Sequence, residues 1–419
     1  MPSRKFKTMF QNLPALRSLP ISIHTVFICV FGILGVSSTY SQGTNSVPEI
    51  SKLELGKPFE RRLFGGQTQS FQLDLSAEQY ANIDIEQKGI DVAVRLIGAD
   101  GKLLLEIDDD PKTTGVESVE VAVHQGTTFT LTVQPKQKTA PAGLFAIEWT
   151  KLRGATESDL ALDDSRRLIY QATALWRAGK YPEALPLAEK ALEICGRELG
   201  RESLEYGQAL FVLANIYSDN GGLDKAAELY KEGIQLKEKL VGKDSLAMTS
   251  LLNNYAAVLK DKGDYPAAEA LFQRVLEIRK KSLPPDHLYI ASSYLNLGNV
   301  YRQTGNVTKA GEFYGEALKI REKALPPNHP DIATVLNNIA NLYDDIERSE
   351  PLYKRALAIR EAAFGPDSQE VGQTVYNFAI MYAGAGDFVK ADQMCRRSLS
   401  IFETKLGPDH YLTFDIFSF

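Results

Sequence analysis

Histidine and cysteine are the side chains that most often bind metals or supply nucleophiles, and this sequence has few of them. Its 419 residues include five histidines and three cysteines. A protein zinc site uses about four such ligands, so this small pool argues against a metal site. The sequence also lacks a Gly-x-Ser-x-Gly elbow, a Walker loop, a His-Glu-x-x-His pair and a Cys-x-x-Cys pair. We therefore predict that the chain is not an enzyme and that it binds no cofactor and no metal.

Three of the histidines occupy one recurring position. His287 and His329 are 42 residues apart, His410 follows 81 residues later, and Ser368 stands at the equivalent position between them. A residue that recurs with a structural repeat usually serves that repeat. We interpret these histidines as loop side chains that bond to the helix that follows each of them.

The other reactive side chains also have structural interpretations. His124 lies at the end of a predicted strand, beside a turn. Cys195 and Cys395 fall on helix faces, where cysteine acts as a small buried hydrophobe. The acidic run at 108–110 offers oxygen ligands of the kind that calcium prefers, but it lacks the regular ligand spacing of a calcium loop. We predict a solvated turn that Pro111 ends.

The charge balance excludes one class of partner. The chain has 47 lysine and arginine residues against 53 aspartate and glutamate residues, which gives a formal net charge of −6. A broad nucleic-acid-binding surface needs a clustered excess of positive charge, so we predict no nucleic-acid partner. The composition, 44% hydrophobic and 24% charged, is that of an ordinary folded protein and excludes a disordered chain.

The first 41 residues have the three-part pattern of a secretory signal peptide. A basic segment with four lysine or arginine residues precedes an uncharged apolar run at 21–36, and small residues follow up to Ser41. The run is shorter than the ~20 residues that a helix needs to cross hydrocarbon, so we predict cleavage near Ser41. The alternative is an uncleaved membrane anchor. Cleavage gives a mature charge of about −10 and predicts a periplasmic or extracellular protein that meets a membrane only through its signal peptide.

Residues 48–152 alternate apolar and polar side chains, which is the period of half-buried β-strands. The alternating segments are 71–75, 83–86, 92–96, 119–123, 129–133 and 145–149. Turn signals such as Gly65-Gly66 and Asp100-Gly101 separate them. The pattern predicts seven or eight short strands in an antiparallel sandwich or jelly roll.

This all-β stretch resembles the pre-peptidase C-terminal-like sandwich of exported bacterial proteins. The residues that carry the resemblance are the opening 55–58, the strands at 69–73 and 92–96, and the closing 126–131. Such modules are accessory, so the resemblance implies no reaction.

A tetrapeptide with apolar second and fourth residues recurs six times in the rest of the chain. Its copies begin at Ala191, Gly233, Val275, Ala317, Ala356 and Ser398. Successive offsets are 42 residues, with a single offset of 39 between the fourth and fifth copies. A fixed period of this length indicates a repeat architecture.

The third copy shows the skeleton that the copies share. Leu252, Tyr255 and Leu259 lie on one face of a helix, at spacings of three and four. Gly263 ends that helix, because glycine readily takes a positive φ, and Pro266 falls in the first turn of the next one. Each copy is therefore predicted to be a helix–turn–helix hairpin.

This pattern resembles the tetratricopeptide repeat, in the 42-residue form of kinesin light chains. Segments 251–255, 335–339, 353–357 and 406–410 carry the resemblance. It implies a multidomain protein, in which the all-β sandwich precedes an all-α solenoid of about six helical hairpins at 160–411. The fifth copy departs from the pattern between Tyr343 and Tyr353, where the inter-helix glycine and aromatic residue are missing. We predict that the hairpin is tighter there or that one helix is shortened by about a turn, with a local kink in the solenoid.

In the resembling family, the first helices of the repeats line a groove that binds extended peptides or partner segments. Carried over position by position, the resemblance implies a groove lined by Asn215, Asn253, Asn254, Lys260, Asn296, Asn299, Arg302, Asn337, Asn338, Asn341 and Asn377. A carboxamide can donate and accept, so it can pair with a peptide backbone whatever its side chains are. Lys260 and Arg302 add positive charge that suits an acidic peptide or a free carboxylate. The alternative is that the asparagines bond neighbouring helices and stay internal.

Residues 412–419 begin the pattern of a seventh repeat and then stop. Signal peptide, sandwich and 42-residue repeats together resemble the N-terminal part of bacterial proteins that continue into a caspase-like CHAT peptidase domain, whose His–Cys pair has no match here. We predict that the chain is a truncated member of that architecture or an incomplete gene product.

The sequence as a whole predicts an exported, non-enzymatic scaffold that binds a protein or peptide. Two alternatives stay open. The chain could be the regulatory region of a CHAT peptidase protein without its catalytic domain. It could also be a surface adhesion module that binds through the sandwich.

Overall fold

The computed structural model describes residues 50–107, 114–137 and 140–407. The chain divides into two compact units between Gln171 and Ala172. The predicted signal peptide, the acidic run at 108–110, His410 and the predicted seventh-repeat segment at 412–419 lie outside the described residues.

The first unit contains a two-sheet sandwich. Its described strands are Ser51–Lys52 (β1), Phe59–Leu63 (β2), Gln69–Leu75 (β3), Gln79–Lys88 (β4), Val92–Ile97 (β5), Leu103–Ile107 (β6), Thr114–Val123 (β7), Thr127–Pro135 (β8) and Gly143–Gly154 (β9). One sheet has the order β1-β3-β8-β5-β6 and the other β2-β9-β4-β7. These neighbouring strands pair antiparallel, except that β1 pairs parallel with β3.

The alternation of side chains gives each sheet one apolar face, and the two faces share a core. Phe71 and Leu73 of β3 are buried, as are Phe145 and Ile147 of β9. The rings of Phe71 and Phe145 meet edge to face across the two sheets, with their centroids 6.1 Å apart. Burial of each such side chain stabilises the fold by about 1.5–3 kcal/mol, so this core holds the sandwich together.

The six alternating segments of the sequence all lie within strands, namely β3, β4, β5, β7, β8 and β9. The predicted count of seven or eight was low, because β1, β2 and β6 do not alternate. β1 has two residues, β2 carries consecutive charges in Phe-Glu-Arg-Arg-Leu, and β6 begins with three leucines.

Twelve α-helices follow the sandwich in the described residues. They are Glu157–Arg177 (α1), Tyr181–Ile194 (α2), Leu204–Asp219 (α3), Leu223–Val241 (α4), Thr249–Asp261 (α5), Tyr265–Ser282 (α6), Leu288–Gln303 (α7), Val307–Ala324 (α8), Pro330–Ala340 (α9), Ile346–Phe364 (α10), Gln369–Gly384 (α11) and Phe388–Leu406 (α12). They form six hairpins, which confirms the predicted all-β region followed by a helical solenoid. We call the odd-numbered members the first helices and the even-numbered members the second helices.

The third hairpin shows how a glycine and a capping residue make the turn between two helices. In the third hairpin Gly263 has φ +83°, which only glycine adopts without strain, and it ends α5. The side chain of Asp264 then accepts a hydrogen bond from the Ala267 N–H at 3.2 Å and so caps α6. Pro266 lies in the first turn of α6, where its missing N–H leaves no bond unmade.

Close contact between the helices of a hairpin depends on small residues. A Cβ added at Gly298 of α7 would lie 2.4 Å from the ring of Tyr314 in α8. Tyr314 is fully buried, so its ring has no free space into which to move.

The fifth hairpin has the predicted irregularity. Its first helix, α9, has 11 residues, whereas α7 and α11 each have 16. A short connection ending at Asp345, which caps α10 through the Arg348 N–H at 2.9 Å, replaces the missing turn. The shortening therefore falls on the first helix.

The first part of α1 contacts the edge strand β7 within the first unit. The carboxylate of Asp163 accepts from the Ala122 N–H at 3.4 Å, and Arg167 donates to the Ala122 carbonyl at 3.5 Å. Asp163 also pairs with Arg167 at 2.5 Å, and His124 with Asp164 at 3.0 Å. These side chains satisfy backbone groups that an edge strand would otherwise leave open to another strand.

Candidate functional site

The residues predicted to line a groove lie on the first helices α3, α5, α7, α9 and α11, with Asn341 directly after α9. We call the nine asparagines among them the asparagine ladder: Asn215, Asn253, Asn254, Asn296, Asn299, Asn337, Asn338, Asn341 and Asn377. The 42-residue period sets their register, because equivalent positions of stacked hairpins come to lie side by side.

The first part of the ladder is an unbroken chain of hydrogen bonds between side-chain amides, and it extends across three hairpins. The Asn254 amide donates to the Asn215 oxygen at 2.8 Å, and Asn253 donates to the Asn254 oxygen at 3.4 Å. Asn296, one hairpin further on, donates to the Asn253 oxygen at 2.8 Å. Tyr230 of α4 starts the chain by donating its hydroxyl to Asn215 at 2.5 Å.

The ladder continues in separate segments toward the C-terminus. Asn338 donates to the Asn299 oxygen at 3.5 Å, and Asn377 donates to the Asn337 oxygen at 3.3 Å. Gln373, one turn before Asn377, donates to the Asn377 oxygen at 3.2 Å. Each step between hairpins runs from an amide N–H to an asparagine oxygen of the preceding hairpin, so these bonds fix which end of each carboxamide faces which helix.

Tyrosines of the second helices belong to the same network, and the sequence reasoning missed this role. Tyr314 donates to Asn299 at 2.7 Å, and Tyr353 donates to Asn341. The tyrosine and the asparagine of a pair are replaced together in the third hairpin. Ala257 stands at the position of the asparagine there, and Phe272 at the position of the tyrosine. That joint replacement was the signal in the sequence that could have revealed the pairs.

Burial differs along the ladder. Asn215 and Asn337 are buried, Asn341 is exposed, and the remaining members are half-buried. Most of the ladder thus bonds neighbouring helices while keeping part of its surface accessible on the first-helix face. The structure describes these internal bonds, and the peptide-binding role of the asparagines stays a prediction.

The two predicted cations have different surroundings. The Lys260 side chain is 14% exposed and pairs with its neighbour Asp261 at 3.2 Å. Arg302 lies close to the hydroxyl of Tyr314, and its charge opposes the effect of burial, which raises the pKa of Tyr314 to about 12. It also faces Tyr353, whose pKa burial raises as well. Among the described residues, Arg302 therefore lies near the phenol groups of Tyr314 and Tyr353, whereas Lys260 pairs with the carboxylate of Asp261.

Three buried arginines are a second feature that the sequence reasoning missed. Arg279, Arg321 and Arg360 each donate to a backbone carbonyl in the first turn of the following first helix, at 2.8–3.0 Å. Burial lowers the pKa of all three, and that of Arg360 to about 10. Each directly follows the isoleucine that ends a recurring tetrapeptide, and that position was the signal. These arginines join consecutive hairpins and are structural.

Two of the three recurring loop histidines lie in the described residues, and both cap helices, as their shared position predicted. His287 Nδ1 accepts from the Tyr289 N–H at 3.1 Å, and His329 Nδ1 accepts from the Asp331 N–H at 3.2 Å. At the same position Ser368 accepts from the Val371 N–H at 3.3 Å. Each cap satisfies an N–H that the first turn of a helix leaves without a partner.

The described part of the chain has neither a metal-binding cluster nor a membrane-spanning helix. No three His, Cys, Asp or Glu side chains there come together in a way that could hold a metal ion. None of the helices there has the length and apolar character needed to cross a membrane. Cys195 is buried and Cys395 half-buried, and neither forms a disulfide bond within the described residues.

The chain matches a family model described as tetratricopeptide repeat at residues 166–239, 247–323, 289–362 and 331–404. Solved structures with a similar fold include one described as kinesin light chain nearly identical TPR-like repeats from Podosopora anserina. It is 22% identical, covers 48% of this chain and 96% of its own, and has a TM-score of 0.43. BtubC (BKLC) from P. vanneervenii is 23% identical, covers 60% of this chain and 93% of its own, and has a TM-score of 0.44. No curated protein matches the chain.

Proposed function

This chain belongs to the tetratricopeptide repeat family, and on that premise we propose that it is a non-enzymatic scaffold whose helical array binds a protein partner. The single observation that carries the proposal is the asparagine ladder, a set of polar side chains repeated along successive first helices. A repeated polar face is suited to an extended ligand, because each hairpin can offer the same kind of contact to the next stretch of it.

The bound segment in this proposal is an extended peptide. Half-buried amides such as Asn253, Asn296 and Asn338 are fixed by bonds to their neighbours, so they are preorganised and lose little conformational entropy when a ligand arrives. Their remaining donors and acceptors can pair with peptide N–H and C=O groups. Arg302, which has phenol neighbours, supplies positive charge for an acidic side chain or a terminal carboxylate.

We further propose that the partner is met outside the cytoplasm. The N-terminal pattern of basic residues, apolar run and small-residue exit supports export by a signal peptide. The acidic balance of the chain supports a protein partner over a nucleic acid.

Affinity capture from cell-envelope fractions tests the scaffold proposal. Full-length protein immobilised through either terminus should retain a specific partner, and added array, residues 160–411, should compete for it. Added sandwich, residues 48–152, is the matched competitor and should leave the partner bound. Competition by the sandwich with none by the array would contradict the proposal.

One observation favours adhesion through the sandwich as a second function. Edge strand β2 and the residue after it carry Phe59 and Phe64, and Phe64 is 44% exposed. The guanidinium of Arg61 lies 5.3 Å from the Phe59 ring centroid, and that of Arg62 lies 5.5 Å from the Phe64 centroid. Phe59 is half-buried against the core, so the exposed Phe64 ring and its arginine neighbour are the part that suits a glycan or an extended chain. Retention of the partner by the isolated sandwich would favour this function.

A further inference from the structure

Consecutive second helices are joined by a recurring ion pair. A glutamate near the end of one second helix pairs with an arginine in the middle of the next. The pairs are Glu238–Arg274 at 2.7 Å, Glu322–Arg355 at 2.7 Å and Glu361–Arg397 at 2.6 Å. We call them the Glu–Arg bridges.

In two of the three bridges the arginine also donates to a carbonyl of the loop between the two hairpins. Arg274 donates to the Lys243 carbonyl at 2.6 Å, and Arg397 donates to the Pro366 carbonyl at 3.2 Å. A guanidinium can make both contacts because it has five donors in one plane. Its side chain therefore fills the space between the two second helices and the loop.

The charges are reversed between the third and fourth hairpins. Lys280 of α6 stands where the bridges have glutamate, and Glu316 of α8 stands where they have arginine. A carboxylate has no hydrogen to donate, so Glu316 cannot bond to the loop carbonyl as the bridge arginines do. Lys280 lies over the Tyr294 ring instead, with its Nζ 5.1 Å from the ring centroid.

A depression of about 490 Å³ opens at this interface, which we call the Lys280 pocket. It is lined by Lys280, Pro285, Asp286, Ile290, Tyr294, Glu316, Lys319, Ile320 and Lys323. A second depression, of about 440 Å³, lies between the first and second hairpins, where Gly196 and Glu232 occupy the bridge positions. Both depressions lie at interfaces between hairpins that lack a Glu–Arg bridge. We therefore attribute the open space to the absence of the bridge arginine.

The lining of the Lys280 pocket combines an apolar floor with an excess of positive charge. Ile290 and Ile320 are 2% and 8% exposed and form the floor with Tyr294. Lys323 is paired with Asp286 at 2.6 Å, so these two charges offset each other. Lys280 and Lys319 then face the single carboxylate of Glu316, which leaves the pocket with a net positive charge.

We propose that the Lys280 pocket binds a small organic anion that has an apolar body. The volume lies within the range of about 300–1,000 Å³ that small-molecule sites occupy. The apolar body would rest on Ile290, Ile320 and the Tyr294 ring, and the anionic group would lie between the ammonium groups of Lys280 and Lys319. Lys280, Glu316, Lys319 and Lys323 of this site belong to second helices, whereas Ile290 and Tyr294 belong to the first helix α7. The pocket shares no residue with the predicted groove.

Calorimetric titration of the full chain with 1-naphthoate tests the proposal, with inorganic phosphate as the comparison anion. We expect saturable binding of naphthoate that high salt weakens, and much weaker binding of phosphate, which has no apolar body. Absence of naphthoate binding, or phosphate binding of equal affinity, would overturn the proposal.

The double substitution Lys280→Glu with Glu316→Arg restores the Glu–Arg bridge found at the neighbouring interfaces, and it leaves the net charge unchanged. The new arginine should fill the pocket, so naphthoate affinity should fall by about tenfold or more while thermal stability is kept. Lys319→Ala, which leaves both bridge positions alone, should weaken binding in the same direction. The matched control Glu202→Lys with Lys239→Glu reverses an exposed ion pair outside the bridge positions, keeps the net charge and should leave naphthoate affinity unchanged. Equal affinity in the restored-bridge and wild-type proteins would refute the assignment.

Discussion

Single side-chain pairs decide how the first helices are held to the second helices. The hydroxyl of Tyr314 and the amide of Asn299 are 2.7 Å apart, and the fifth and second hairpins repeat this pair as Tyr353–Asn341 and Tyr230–Asn215. The third hairpin has an alanine and a phenylalanine at these positions, which leaves no polar atom without a partner. The pair is thus kept or replaced as a unit, as expected when a half-satisfied buried polar pair costs more than an apolar one.

We predict that Tyr314→Phe lowers the free energy of unfolding by about 1 kcal/mol, because the Asn299 oxygen loses a hydrogen bond. Adding Asn299→Ala, which reproduces the third hairpin, should cost less than the sum of the two single changes. Urea unfolding of the four proteins in a double-mutant cycle measures the coupling. Strict additivity would show that the pair does not act as a unit.

Gly298 is a residue at which side-chain volume is decisive. Gly298→Ala places a Cβ 2.4 Å from the buried Tyr314 ring, so α7 and α8 must separate. We expect a loss of about 1–3 kcal/mol in unfolding free energy despite the better helix propensity of alanine. Gly315→Ala on the exposed side of α8, where no atom lies within 4 Å of the added Cβ, is the control and should be neutral or stabilising. Thermal denaturation of both variants gives the comparison.

At the scale of the element, the N-cap position shows which chemistry the repeat requires. His287 and His329 cap through a ring nitrogen, while Ser203, Ser245 and Ser368 cap through a hydroxyl at the equivalent position. Histidine and serine share a side-chain hydrogen-bond acceptor close to the backbone. Capping at this position requires that acceptor and no other property of the imidazole ring.

We predict that His287→Ala destabilises the array by about 1 kcal/mol, the usual cost of a lost N-cap, and that His287→Ser has little effect. Differential scanning calorimetry of the two variants distinguishes capping from any role specific to histidine. A large loss with serine, equal to the loss with alanine, would contradict the capping account.

The docking of α1 on strand β7 gives the first unit a pH dependence. Burial raises the pKa of Asp163 to about 6 from 3.8, although Arg167 and Arg166 act in the opposite direction; Asp164 adds to the rise. The folded state therefore holds this proton more tightly than the unfolded state. The resulting stabilisation is complete below pH 3.8 and is lost as the pH rises through about 6.

Asp163→Asn should remove this contribution and flatten the unfolding free energy between those two pH values. Asp164→Asn, whose side chain pairs with exposed His124, is the control for a change of charge at the adjacent residue. Urea unfolding at several pH values, followed by circular dichroism, measures both slopes. If Asp163→Asn keeps the wild-type slope, another group carries the pH dependence.

For the molecule as a whole, periodicity carried most of the fold prediction. Recurrence at 42 residues located six hairpins and the shortened fifth, because equivalent residues of stacked hairpins have equivalent surroundings. Alternation located six strands, but it could not find β2 or β6, whose side chains do not alternate.

The candidate site was predicted less completely than the fold. Register placed the ladder residues on first helices, yet it could not show that Asn296 bonds to Asn253 while Asn254 bonds to Asn215. That choice depends on Ala257, which removes the partner that Asn296 would otherwise have in the preceding hairpin. Buried Arg279 was missed because arginine is usually exposed, and only the stacked neighbour supplies the carbonyl that allows its burial.

The central claim is that the first-helix face of the array binds the partner, and the affinity of a captured partner tests it most directly. Lys260→Ala with Arg302→Ala removes two charges from first helices, whereas Lys231→Ala with Lys281→Ala removes two exposed charges from second helices. Circular dichroism and thermal melts confirm that both proteins are folded. The account predicts that calorimetric affinity falls by about tenfold in the first variant and stays unchanged in the second. Equal affinity of the first variant and the wild type, or a loss confined to the second variant, would contradict it.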